Sequence, residues 1–132
     1  MKTLWKPHTP AEIYAPLSTY NHAIELPPGA RILESSGQLP VRSDGSWPDG
    51  IAAQTELVWQ NVVAILKSAD MGVEHLVRVK TFLIHREHMA EYSRVRSTFL
   101  GDCRPASTLI LVSGFTRPEW LVEVEITAAK ID

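Results

Sequence analysis

Cysteine is almost missing from this chain: of 132 residues only Cys103 is one. No intrachain disulfide can therefore staple the fold, and a reducing, cytoplasmic setting fits the lone thiol. Long apolar runs are missing as well. None reaches the roughly 18 to 20 residues that span a bilayer, and the opening "MKTLWKPHTP" lacks the apolar stretch of a secretory signal. Nor is there a block of like charges. A formal net charge of −2 argues against a nucleic-acid partner held by phosphate neutralisation. The chain has no glycine-rich phosphate loop and no dinucleotide fingerprint, so no cofactor is expected. His85 and His88 stand at metal-binding spacing, but no third convergent ligand is visible and no metal is expected. Cys103 has no evident base partner, which counts against a cysteine nucleophile.

What is present is the composition of a globular domain: 45% apolar and 21% charged residues, enough to bury a core in one domain over residues 1–132. Prolines 7, 10 and 16 leave room only for a short edge strand near "TLW". "HAIEL" (22–26) reads as a strand closed by "PPG", and "ARILESSG" (30–37) as its hairpin partner. From 54 to 69, Val58, Val62, Ile65 and Ala69 recur at steps of three and four, predicting a helix that Gly72 stops. "HLVRVKTFLIH" (75–85) alternates with Val77, Val79, Thr81 and Leu83 on one face. A second helix is predicted over 87–100, with Met89, Tyr92, Val95 and Phe99 along one side and Gly101 at its end.

The stretch "RPASTLILVSGFTRPEWLVEVEI" (104–126) supplies two more strands. Val122, Val124, Ile126 and Ala128 form one face of the last strand; Leu121, Glu123, Glu125 and Thr127 form the other. Ser107, Leu109 and Leu111 share a face of the strand before it. The whole order predicts an α+β sandwich: a mostly antiparallel six-stranded sheet with both helices on one face. The other face, half apolar and carrying acids, reads as a subunit interface with a pocket in it.

Five pieces in order, "TYNHAIEL", "SSGQLP", "AAQTELVWQNVVAILKSADMG", "RPASTLILV" and "LVEVEI", resemble the RidA family, also called YjgF. The resemblance spans roughly Tyr20 to Ala129. It implies a chorismate-mutase-like fold, a homotrimer with clefts between subunits, and water-assisted hydrolysis of enamines and imines to keto acids and ammonia. Family members described as ribonucleases, translation inhibitors or chaperones are also known. By position, Tyr20 matches the pocket tyrosine, Ser36 and Gly37 the Ser-Gly turn, and Glu123 the acid that holds or activates water. His22 follows the tyrosine, where the family has Gln or His.

The chain departs from the pattern where the substrate carboxylate is held. The family's arginine, in "Pro-Ala-Arg-Ser/Thr", is Ser107 here. The frequent cysteine two residues later is Leu109, and the helix asparagine falls at Ser93. A guanidinium grips a carboxylate with two prongs, whereas a serine offers one neutral contact. Losing a charge-assisted pair costs about 1.5–3 kcal/mol, roughly ten- to a hundred-fold in affinity for an amino-acid-derived imine. Arg104, Arg117, Arg78 and Lys80 are the cations weighed as substitutes, each against the plainer reading of a solvated charge. Arg117, in a turn that could lie over the cleft, is the first of them to test. Trp120 beside it is a ligand-stacking wall or a packed aromatic.

Two readings follow. In the first the protein is a hydrolase or deaminase acting on a small enamine, imine or related unsaturated catabolic intermediate. Glu123 and Tyr20 position water in that scheme, and Ser107 shifts substrate choice toward uncharged or larger molecules. In the second it is a trimeric, non-catalytic binder of a small metabolite. Glu125 is assigned to the interface in both.

Overall fold

The structure, a computed structural model, describes residues 3–132. In chain order the elements are β1 (Lys6–His8), β2 (Ala23–Glu25), β3 (Arg31–Glu34), α1 (Ile51–Ser68), β4 (Leu76–Leu83), α2 (Met89–Leu100), β5 (Ala106–Leu111) and β6 (Val122–Lys130), with single 3-10 turns before β4 and α2. The α+β class and both helices are as the residue periodicities predict.

Helix α1 begins at Ile51, three residues before the expected start. Gly50, at φ 87°, serves as its N-cap, and two alanines, the best helix formers, follow Ile51. At the other end Gly72 is not the stop. Its φ of −129° is extended, and Asp70 takes the left-handed position at φ 56°. Aspartate tolerates that conformation, and its carboxylate is held 2.8 Å from Lys130 Nζ. Helix α2 ends on Gly101, at φ 56°, as expected of a C-terminal glycine.

The expected β2–β3 hairpin does not form. β2 pairs antiparallel with β1, while β3 pairs antiparallel with β6, from Arg31↔Lys130 to Glu34↔Thr127. Pro27 and Pro28 explain the correction: two locked φ angles cannot adopt the primed turn of a tight hairpin. Likewise the first edge strand lies at Lys6–His8 rather than over Thr3–Trp5.

The main sheet runs β3-β6-β4-β5, with β4 antiparallel to β6 and parallel to β5. The β1–β2 ribbon meets its β5 edge through one parallel bridge, Asn21↔Ala106. Asn21 secures that junction, its N–H donating to Pro105 O at 3.2 Å and its Nδ2 to Arg104 O at 2.6 Å. The six expected strands are therefore divided two and four.

Alternation along β4 and β6 decides which residues face which layer. Val79, Leu83, Val122, Val124, Ile126 and Ala128 are buried with Val58, Trp59, Val62 and Leu66 of α1 and Tyr92 and Leu100 of α2. The residues between them, Arg78, Lys80, Phe82, Glu123, Glu125 and Thr127, lie on the open face. Ile32 and Ile110, 57% and 41% exposed, share that face by register.

Candidate functional site

Three of the cavities among the described residues hold most of the expected site residues between them. The first, of about 330 Å³, opens between α2 and β5 and is lined by Tyr20, Ser93, Arg96, Ser107 and Leu109, with Thr81 at its base. Parallel pairing fixes its floor: Val79 lies beside Ser107 and Thr81 beside Leu109. Thr81 Oγ1 and Tyr92 Oη meet at 2.5 Å beneath it. Ser93 and Arg96 are three apart on α2, hence on one side of the helix. The Leu17 N–H donates to Tyr20 Oη at 3.1 Å, which leaves the phenolic O–H free to donate.

His22 does not line this cavity. Its Nε2 lies 2.6 Å from Tyr14 O, and its ring packs edge-on against Tyr14 and Tyr20 at 4.9 and 5.8 Å. It braces the tyrosine.

The second cavity, about 460 Å³, gathers Gly37, Trp47, Asn61, Arg117 and Trp120. Trp47 and Trp120 meet edge-to-face at 5.6 Å, and the Arg117 guanidinium lies 5.7 Å over the Trp47 ring, a cation–π contact. Gln54 of α1 anchors this end by donating to Pro48 O and Glu119 O and accepting from Leu121 N–H.

The third cavity, about 380 Å³, is on the open face, walled by Phe82, Phe115 and Glu123. Burial, and then the neighbouring Glu125 charge, push the Glu123 carboxyl above the ordinary glutamate range. Glu125 differs: Lys80 Nζ lies 3.6 Å from it. Gly37 stands against Glu123 so closely that a Cβ there would come within 2.1 Å of Oε2. Ser36 enters this turn through its carbonyl, which accepts from Gln38 Nε2 at 3.1 Å.

Gly37→Ala is therefore expected to swing the Glu123 carboxylate out toward water without unfolding the chain, because only a side-chain tip must move. Relieved of burial, the carboxyl should titrate closer to the ordinary range. A 13C carboxyl NMR titration reads this directly, and an unchanged Glu123 curve would show that Gly37 does not hold it.

Tyr20, Ser93, Ser107 and Leu109 are thus brought together, whereas Glu123 lies across the sheet from them in the same chain. None of the four cations weighed as substitutes lines the Tyr20 cavity. Arg104 donates to the Gly101 and Cys103 carbonyls, Arg78 to Thr108 Oγ1 at 3.2 Å, Lys80 faces Glu125, and Arg117 covers Trp47. The residue that sequence reasoning missed is Arg96, buried in the cavity wall. Its signal was its place on the apolar stripe, four residues after Tyr92 and three before Phe99. Cys103 is half-buried, and burial pushes its thiol up, away from nucleophile behaviour.

Known proteins resemble this chain over most of its length. A RutC family protein of Pyrococcus abyssi is 29% identical over 117 residues, covering 87% of this chain and 89% of that one. The mitochondrial protein mmf2 of Schizosaccharomyces pombe is 31% identical over 91 residues, 69% of this chain and 70% of that one. Among solved structures, Yersinia pestis YyfB, a protein of unknown function in the conserved Rid family, superposes with a TM-score of 0.83 at 25% identity, covering 95% and 98% of the two chains. E. coli TdcF, solved with bound serine, gives 0.73 at 22% identity over 96% and 99%. The family model described as Endoribonuclease L-PSP matches residues 10–130, and the chain belongs to that family, the RidA (YjgF) family.

Proposed function

We propose that this protein hydrolyses a small imine or enamine in a cleft built by two copies of the chain, the Tyr20 cavity of one and Glu123 of the next. Glu123 carries this reading. Its carboxyl is raised by burial and by Glu125 and stands beside an aromatic-walled cavity, whereas Glu125 is engaged by Lys80. A carboxylate tuned upward is a stronger base than an ordinary one, which suits a general base. It takes a proton from water as the water oxygen bonds to the imine carbon. With the imine bound in its protonated form, the C=N electron pair passes to nitrogen to give a neutral carbinolamine. Glu123 then returns its proton to that nitrogen, the C–N bond breaks to release ammonia, and the hydroxyl gives up its proton to solvent to leave a carbonyl product. Tyr20, whose O–H is free, steadies the imine nitrogen or the water, and Ser107 leaves room beside it.

The assembly in this reading is a homotrimer of single-domain chains in the cytoplasm. Exposed Ile32 and Ile110 on the Glu123 face support a covering subunit. The net charge of −2 weighs against RNA as substrate. The rival reading, a metabolite binder without turnover, draws on the neutrality of Ser107. Ammonia release from freshly generated imines separates the two: acceleration over the spontaneous rate supports hydrolysis, and saturable binding without it supports the binder.

The pH profile is a second check. A base must be deprotonated, so activity falls as pH drops through the raised Glu123 pKa. Removing the Glu125 charge lowers that pKa, and in Glu125→Gln the acid limb of kcat/KM is expected to move to lower pH. A limb that stays in place would assign it to another group.

A further inference from the structure

The helix-side cavity holds a cation that no carboxylate among the described residues neutralises. Arg96 is 6% exposed, and its Nε and Nη2 are buried with no hydrogen-bond partner. Its Nη1 reaches only Thr19 Oγ1, at 3.5 Å, the outer limit of such a bond. The groups acting on its charge are Tyr92 and Arg104, one a phenol and the other a second cation. The rest of the cavity wall is neutral: hydroxyls from Ser18, Tyr20, Ser93 and Ser107, and apolar surface from Leu17, Met89 and Leu109. Burying a guanidinium without a counter-ion destabilises a fold, and unsatisfied buried donors are rare enough in native structures to need a reason.

We infer that Arg96 is the carboxylate clamp of this cavity, holding the acid group of a small 2-imino or 2-oxo acid from the helix side while Ser107 leaves the strand side open. A guanidinium is a planar two-pronged donor that matches a carboxylate, and because Nε and Nη2 are sealed in the wall, Arg96 meets the ligand by turning its side chain into the cavity. Leu17, Met89 and Leu109 accept a short apolar tail, and a cavity of about 330 Å³ admits a molecule of a few heavy atoms. The exclusion of carboxylated ligands expected from Ser107 alone is thereby reversed, because the cation is supplied by the opposite wall. The inference rests on the site proposed above, but it concerns binding and not the hydrolytic step.

The test is calorimetric titration with pyruvate and its neutral twin pyruvamide, using wild type, Arg96→Met and Arg96→Lys. Wild type is expected to favour pyruvate at least about tenfold, as a charge-assisted pair implies. Arg96→Met should lose that preference while holding pyruvamide unchanged, and Arg96→Lys should keep part of it. Ligand-free Arg96→Met is expected to melt no lower than wild type, since the unpaired charge is gone; an arginine with a purely structural role would melt lower on replacement. Equal binding of the two ligands by wild type, no binding of either, or pyruvate binding unaffected by Arg96→Met would each overturn the clamp. Glu123→Gln separates the two proposals. If it keeps both turnover and pyruvate binding, hydrolysis through Glu123 falls and the clamp stands. If turnover depends on Glu123 but pyruvate binding ignores Arg96, the clamp falls and the hydrolysis stands.

Discussion

Glu123→Gln is expected to cut imine hydrolysis about a hundred- to ten-thousand-fold in kcat, the range a positioned general base contributes, with little change in KM. The amide keeps the size and the place against Gly37 but cannot accept the proton from water. Ammonia release under single-turnover conditions measures the loss without interference from product release. The same variant tests how the site is divided. Tyr20 and Glu123 lie on opposite sides of the sheet, so Tyr20→Ala and Glu123→Gln, each deficient alone, should complement when co-refolded. With random mixing, about a quarter of interface sites combine an intact cavity with an intact acid, and activity should return to about that fraction of wild type. A mixture as inactive as its parents would show that the two residues do not share a cleft.

Trp59→Ala is expected to destabilise the fold by about 3–5 kcal/mol, the usual cost of emptying a buried aromatic site. Trp59 is fully buried on α1, at the centre of the layer between helices and sheet, and stacks on Phe99 of α2 at 6.1 Å. Its removal unpacks the helix pair and the sheet at once. The indole Nε1 makes no hydrogen bond of ordinary geometry, Tyr92 Oη being the acceptor nearby, so the loss is chiefly one of packing. Trp59→Phe should accordingly cost much less, since it retains an aromatic ring and removes a poorly satisfied donor. Urea unfolding at one fixed protein concentration compares the three proteins; equal losses in the alanine and phenylalanine variants would point to a hidden polar role for the indole.

Local periodicity made most of the elements legible. Alternation along residues 76–83 and 122–130 and the stepped apolar positions of both helices needed no knowledge of distant partners. Pairing was harder, because the choice of β6 rather than β2 as the partner of β3 is a long-range decision. Pro27 and Pro28 were the local sign against the hairpin. The same distinction governs the site. The grouping of Tyr20, Ser93, Ser107 and Leu109 was implied by the family resemblance. That Glu123 would stand across the sheet needed the register linking β4 to both β5 and β6, in which Leu109 aligns with Thr81 and Glu123 with Phe82. Arg96 was obscured by its type: a charge on a helix is ordinarily solvated, and only the packed structure reveals one held inside.

The lone bridge between Asn21 and Ala106 has a practical corollary for redesign. The Tyr20 wall belongs to a segment attached to the main sheet at one point, and none of residues 3–39 is buried in the isolated chain. Ligand fit on that side is thus set by residues outside the hydrophobic core, while the opposite walls sit on α2 and β5. A chimera carrying the first twenty-odd residues of a relative would exchange one face of the binding cavity as a cassette and leave the packed layers beneath it as they are.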